Sequence, residues 1–240
     1  KSKQHQPVER FLGELHGRME YLKQQHLMFL HELSYEKKRR RRRKSNKTSG
    51  AAGLEVIRWG MLNFTSPERI MESPVLLMKI FEESARLKIP LSAEAKRLVK
   101  EFSYLADYKF RSSEPIVKSF ERILVAPAPT FNVLNEMLNT GFLVRFIPEF
   151  RNIVNRIQYD EYHLYPVDKH LLKAVQTVKK FGTAKDSSLE PLCDQIYAEL
   201  KNKKLLLWAA LLHDIGKGES EEDHAKKGSE IIKKILTRIG

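Results

Sequence analysis

The sequence predicts an all-α fold, and three observations carry that prediction. Apolar residues recur at helical spacing through most of the 240 positions. Proline, serine and glycine fall where helices would start and stop. After residue 65 no segment of convincing length alternates apolar and polar side chains, as a half-buried strand would. Hydrophobic residues make up 42% of the chain, enough for one large core or two small ones.

Residues 8–35 read as the first helix. Val8, Phe11, Leu12, Leu15 and Met19 form one stripe, which Leu22, His26, Phe29, Leu30 and Leu33 continue. A stripe this apolar on a helix this long calls for a partner surface. The basic block from Lys37 to Lys44 follows, and then Ser45-Asn46-Lys47-Thr48-Ser49-Gly50. Like charges repel and the polar tail has little to bury, so residues 37–53 read as a solvated helix end running into a flexible segment.

Residues 54–64 are either a strand pair or a loop packed on the core, through Leu54, Val56, Ile57, Trp59 and Leu62. Ser66-Pro67-Glu68 is a helix start: a capping residue, proline in the first turn, then an acid. Further starts are expected at Ser73-Pro74 and Ser92-Ala93-Glu94. Residues 116–125 form another amphipathic set, and residues 130–139 a helix closed by Gly141. Residues 168–181 and 189–200 follow as helices. Residues 205–215 are hydrophobic on every face and are expected inside the protein, with Trp208 in the core. The last helix begins at His224.

Composition removes several function classes. The longest apolar run, residues 205–212, is too short to span a bilayer. No apolar stretch backs the basic N-terminus, so no signal peptide is expected. Cys193 is the single cysteine: it allows neither an internal disulfide nor a cysteine-based zinc site, and it reads as a buried, inert thiol. A reducing cytoplasm is the expected compartment. The net charge of +13 invites a nucleic-acid partner. Its densest block has no interleaved aromatics on which bases could stack, which argues against one.

The chemistry centres on His213-Asp214, at the end of the apolar helix. A buried carboxylate beside a buried imidazole is costly unless something pairs with them. The dipeptide alone leaves two readings open, an ion pair capping a helix end or a shared divalent cation. The surroundings favour the cation. His170 lies on an earlier helix, His224 opens the next one, and Asp214-Ile215-Gly216-Lys217-Gly218 turns the chain and presents Lys217 where a phosphate would sit.

This order, His … His-Asp … His on successive helices, resembles the HD superfamily of metal-dependent phosphohydrolases. The resemblance implies that His170, His213 and Asp214 bind one divalent metal ion and that His224 binds a second ion or the substrate phosphate. It makes His213, Asp214 and Lys217 the catalytic group. Lys217 is then a phosphate contact; otherwise it is a solvated loop lysine. Imidazole and carboxylate donors suit Mn, Mg, Fe or Zn without choosing among them. The family closes the first-ion site with a later aspartate, whereas no Asp follows Asp223 before Gly240. The expectation is therefore a helical linker region over residues 1–140, then an HD-type helical domain over residues 141–240, truncated at its C-terminal end.

Residues 141–150 (Gly-Phe-Leu-Val-Arg-Phe-Ile-Pro-Glu-Phe), Gln158-Tyr159-Asp160 and residues 163–170 (His-Leu-Tyr-Pro-Val-Asp-Lys-His) extend the likeness upstream. They are similar to the central region of the bifunctional uridylyltransferase/uridylyl-removing family that modifies the nitrogen signalling protein PII. That resemblance implies removal of UMP from uridylylated PII. It also implies a parent carrying a nucleotidyltransferase domain and ACT domains, neither of which this sequence contains. His163 is then a substrate-side residue at the edge of the site, or a structural hydrogen-bonding one. Asp168 is a helix cap, a partner for His170, or both. The alternatives are an HD hydrolase of a free nucleotide or alarmone, and a helical regulatory module with a degenerate metal site.

Overall fold

The computed structural model describes residues 7–39, 47–48, 52–57, 60–127, 132–157, 166–181, 191–219 and 223–240. Helix α1 (Pro7–Arg39) outruns the stripe that predicts it. It lies against the rest of the chain through its glycines rather than its apolar side. A Cβ on Gly13 would lie 2.7 Å from the Asn155 carbonyl oxygen, and one on Gly17 would lie 2.9 Å from Asn155 Nδ2. The close approach that only glycine permits sets which face turns inward. Val8, Phe11, Leu15, Met19, Leu22 and Phe29 consequently stay exposed.

Residues 54–64 form a strand pair. β1 (Lys47–Thr48), β2 (Leu54–Ile57) and β3 (Met61–Phe64) make one antiparallel sheet, with Val56 opposite Leu62 and Leu54 opposite Phe64. Leu54, Leu62 and Phe64 face the core. Lys47 and Thr48, inside the stretch expected to be flexible, pair with Val56 and Glu55. Trp59 and residues 40–46 lie outside the described residues.

Helices follow in the predicted order: α2 (Pro67–Glu72), α3 (Leu76–Leu87), α4 (Ala93–Phe102), α5 (Tyr108–Ser112) and α6 (Glu114–Val125). Ser92 caps α4 as expected, its Oγ accepting from the Ala95 N–H at 2.9 Å. Ser66 holds the cap position of α2 without bonding a helix N–H. Helix α5, which the sequence reading passes over, is capped by Asp107 through the Phe110 N–H at 2.8 Å.

Then come α7 (Val133–Asn139), α8 (Phe142–Phe146) and a 3₁₀ turn (Pro148–Ile153). Gly141 takes φ +76 between α7 and α8, the left-handed conformation that ends a helix. The last third holds α9 (Val167–Lys180), α10 (Pro191–Glu199), α11 (Lys203–Leu212), a second 3₁₀ turn (Ile215–Gly218) and α12 (His224–Ile239).

One continuous set of buried residues runs from Leu54 to Ile235, so the sheet and early helices share a core with the last third. Phe120 of α6 is a junction: its ring lies 4.8 Å from Phe146 and 5.2 Å from Trp208. Removing such a ring from water contributes about 2–3 kcal/mol. Trp208 is in the core, as expected, but α11 is not enclosed: Leu205 is 65% exposed and Ala209 faces solvent. Its apolar sequence overstates its burial because only Leu207, Trp208, Leu211 and Leu212 meet neighbours closely. Cys193 is half-buried rather than enclosed. Among the described residues no helix is long and apolar enough to cross a membrane.

Candidate metal centre

Three side chains from two places in the sequence meet at one point. His170 stands one turn into α9, while His213 and Asp214 follow the last residue of α11. His170 Nε2 is 3.2 Å from His213 Nε2 and 3.6 Å from Asp214 Oδ2, and His213 Nε2 is 3.4 Å from the same oxygen. Among the described residues these three form the set of His, Cys, Asp and Glu side chains close enough to share an ion.

The donor chemistry fits a divalent cation. Two imidazole nitrogens and a carboxylate oxygen converge on one small volume, where they repel unless a proton or a cation lies between them. Edges of 3.2, 3.4 and 3.6 Å match the spacing of adjacent ligands on an ion whose bonds are about 2.0–2.2 Å long. His213 Nδ1 lies 3.1 Å from the Ala210 carbonyl oxygen. A carbonyl only accepts, so Nδ1 donates to it, and Nε2 is the nitrogen that can give up its proton to bind an ion.

Burial corrects the premise from which the sequence reading began. The His213 side chain is 42% exposed and the His170 side chain 40%, whereas Asp214 is 14% exposed. The imidazoles open to solvent, so their desolvation is not what calls for a cation; the convergence of three donors is. The hydrogen bond to Asp214 raises the His213 imidazole, against a burial effect that lowers it. Burial works to raise the Asp214 carboxyl, yet the bonds from His213 and Lys217 hold it well below the usual carboxylate range.

Residues 167–240 match the family model described as HD domain. The C-terminal third of this chain is similar to an HD domain. The HD segment thus contains all three converging residues. The chain is also similar to proteins named bifunctional uridylyltransferase/uridylyl-removing enzyme. It is 33% identical over 188 residues to that of Ruegeria pomeroyi, covering 78% of this chain and 20% of the relative. It is 32% identical over 168 residues to that of Methylococcus capsulatus, covering 69% and 19%. To that of Novosphingobium aromaticivorans it is 29% identical over 184 residues, covering 77% and 20%. The chain therefore spans about a fifth of the length of these relatives.

Lys217 of this segment is buried, with its ammonium 3.0 Å from Asp214 Oδ2. That position removes the solvated-loop reading. The turn carrying it is tight for a reason the sequence does not display. A Cβ on Gly216 would collide with the His224 carbonyl and the Gly228 backbone, so glycine here lets α12 press against the turn. His224 meets the turn through this backbone contact. Its side chain is exposed and is not part of the converging set. His163 lies outside the described residues.

Asp168 is 1% exposed and belongs to the first turn of α9. Its Oδ2 accepts from the Asn155 N–H at 3.1 Å and its Oδ1 from the Lys169 N–H at 2.8 Å. Burial lifts its carboxyl above the usual range, and those two N–H donors pull against the rise. Residues 152–156, which grip Asp168 and Gly218, carry no chemical motif by which the sequence alone could mark them.

Proposed function

We propose that the HD domain hydrolyses a phosphodiester, and that the bond broken joins UMP to a PII-type signalling protein. The observation that carries the hydrolase reading is the convergence of His170 Nε2, His213 Nε2 and Asp214 Oδ2. The uridylyl-removing reading draws its support from the relatives, whose likeness covers up to 78% of this chain and so reaches beyond the HD segment.

His170, His213 and Asp214 would hold the ion, leaving its remaining positions to water and substrate oxygen. A divalent ion so held supplies Lewis acidity and lowers the pKa of a bound water. The protein's own groups do the rest. The Ala210 carbonyl fixes the His213 tautomer, keeping Nε2 directed at the shared point. Lys217, buried beside Asp214, holds that carboxylate in orientation and sets a positive charge next to the site, where it offsets charge on the non-bridging phosphate oxygens. His224 and His163 are proposed on the substrate side, consistent with a phosphate and its attached group approaching from the exposed faces of the two imidazoles.

The test is release of UMP from uridylylated PII by this chain, with Mn²⁺ and with chelator. Metal-dependent release is expected, and Lys217→Met should lower turnover about 100–1000-fold. Metal-dependent hydrolysis of free nucleotides or alarmones without UMP release would move the substrate assignment to those compounds. Tight metal binding with no hydrolysis of either class would leave the regulatory-module reading.

A further inference from the structure

We infer that Asp168 is a positioning residue for the metal centre, acting through Asn155 to hold the His170 helix against the backbone that also holds the Asp214 turn. The inference rests on the metal-centre reading.

His170 and the His213–Asp214 pair come from different elements, yet their donor atoms lie 3.2–3.6 Å apart. Ligand distances must be right to about 0.2 Å; α9 packs directly on α11, and a clamp that also touches the Asp214 turn fixes them more closely. Residues 148–157 do so while contributing no ligand. Toward α9, the Asn155 N–H donates to Asp168 Oδ2 at 3.1 Å and the Val167 N–H donates to the Arg156 carbonyl at 2.9 Å. Toward the Asp214 turn, Arg156 Nη1 donates to the Gly218 carbonyl at 2.9 Å. A Cβ on Gly218 would lie 2.7 Å from Asn152 Cβ, so the two backbones are nearly in contact. Glu149 also takes both Arg238 Nη atoms of α12, at 2.6 and 3.0 Å.

Asp168 is the point where this segment grips the His170 helix. It precedes His170 by two residues in the same helical turn, so its anchoring steadies the turn that carries the ligand. Asn155 itself is held at φ +54, a left-handed conformation few non-glycine residues adopt. Helix α1 closes over Asn155 through Gly13 and Gly17.

The test is Co²⁺ binding to the full chain, read by visible absorption and by calorimetric titration, below the melting temperature of each variant. Asp168→Asn turns an amide toward N–H donors; it should weaken Co²⁺ binding about 10–100-fold and alter the absorption spectrum. Asn155→Gly keeps the N–H and tolerates the left-handed backbone, so its affinity should stay within about threefold of the parent. Should Asp168→Asn fail to fold, Arg156→Met loosens the same segment from the opposite side and should weaken Co²⁺ about tenfold. Parent-like affinity and spectrum in Asp168→Asn, or in Arg156→Met when it alone folds, would overturn the inference. Co²⁺ binding that survives His213→Ala would instead overturn the metal-centre reading, so the two failures are distinguishable.

Discussion

Glu82 of α3 and Asp214 of the candidate metal centre are both covered carboxylates held below their usual range, and they differ in what faces them. Glu82 is 12% exposed and accepts from Lys79 Nζ at 2.9 Å, Arg122 Nε at 2.5 Å and the Ser119 hydroxyl. Burial works to raise it; the bonds from Arg122, Ser119 and Lys79 overcome that and bring it from 4.5 down to about 2. Arginine and lysine only donate, so the charge of Glu82 is closed by the protein itself, and the cluster ties α3 to α6. Asp214 has one such donor, Lys217, and beyond it two imidazoles 3.4 and 3.6 Å away. Imidazole can offer a lone pair in place of a proton, which leaves the cluster open to a cation. A depressed carboxylate alone does not mark a site; the character of its neighbours does.

The largest effect expected from this difference is on metal. His213→Ala should weaken divalent-ion binding about 100-fold or more, measured by calorimetric titration. The same substitution should move stability in chelator by no more than about 0.5 kcal/mol, because the side chain is half in solvent. Unchanged metal affinity with a large loss of stability would make the two clusters alike and break the comparison.

Glu82→Gln should do the reverse, costing about 1–3 kcal/mol at neutral pH with no change in metal affinity. The pH dependence has a definite sign. A carboxyl whose pKa falls on folding from 4.5 to about 2 adds stability that is complete above 4.5 and disappears as pH drops through about 2. Urea midpoints of parent and variant should therefore converge as pH falls across that window. A gap that stays constant would mean that packing rather than charge holds α3 to α6 there.

The two clusters were not equally legible in the sequence. His170, His213, Asp214 and Lys217 stand in short runs whose residue types announce metal and phosphate chemistry. The helix order around them follows from capping residues and periodicity. The Glu82 cluster depends on Ser119 and Arg122, residues 37 and 40 positions away, and no local pattern pairs them. The Asn155–Asp168 contact is hidden for the same reason: it joins a backbone N–H to a side chain across a connection. Gly216 was readable as a turn but not as the contact surface for α12, since a close approach lies in the partner rather than in the glycine. The stripe on α1 is apolar, as its spacing indicates, and it stays exposed because Gly13 and Gly17 decide which side comes close to the rest of the chain.

Lys179 tests the comparison from the side of the cation, with the smallest expected effect. Burial lowers its ammonium from 10.5 to about 8, and its Nζ donates to the Ile123 carbonyl at 3.1 Å, in the last turn of α6. The carbonyl end of a helix welcomes positive charge, but one neutral acceptor does not match the carboxylate that Lys79 and Arg122 share. Between pH 8 and 10.5 the unfolded chain keeps a proton that the folded chain has released, so stability rises with pH across that interval. Below it the buried charge opposes folding. Lys179→Met should accordingly raise stability at pH 7 by about 1–2 kcal/mol, and the gain should vanish as pH approaches 10.5. Urea midpoints of parent and variant from pH 7 to 10 measure it. A variant that is less stable than the parent at pH 7 would mean that the Ile123 carbonyl and the helix end neutralise this charge as fully as Arg122 and Lys79 neutralise Glu82, in which case a single dipole can close a buried charge here without an opposite ion.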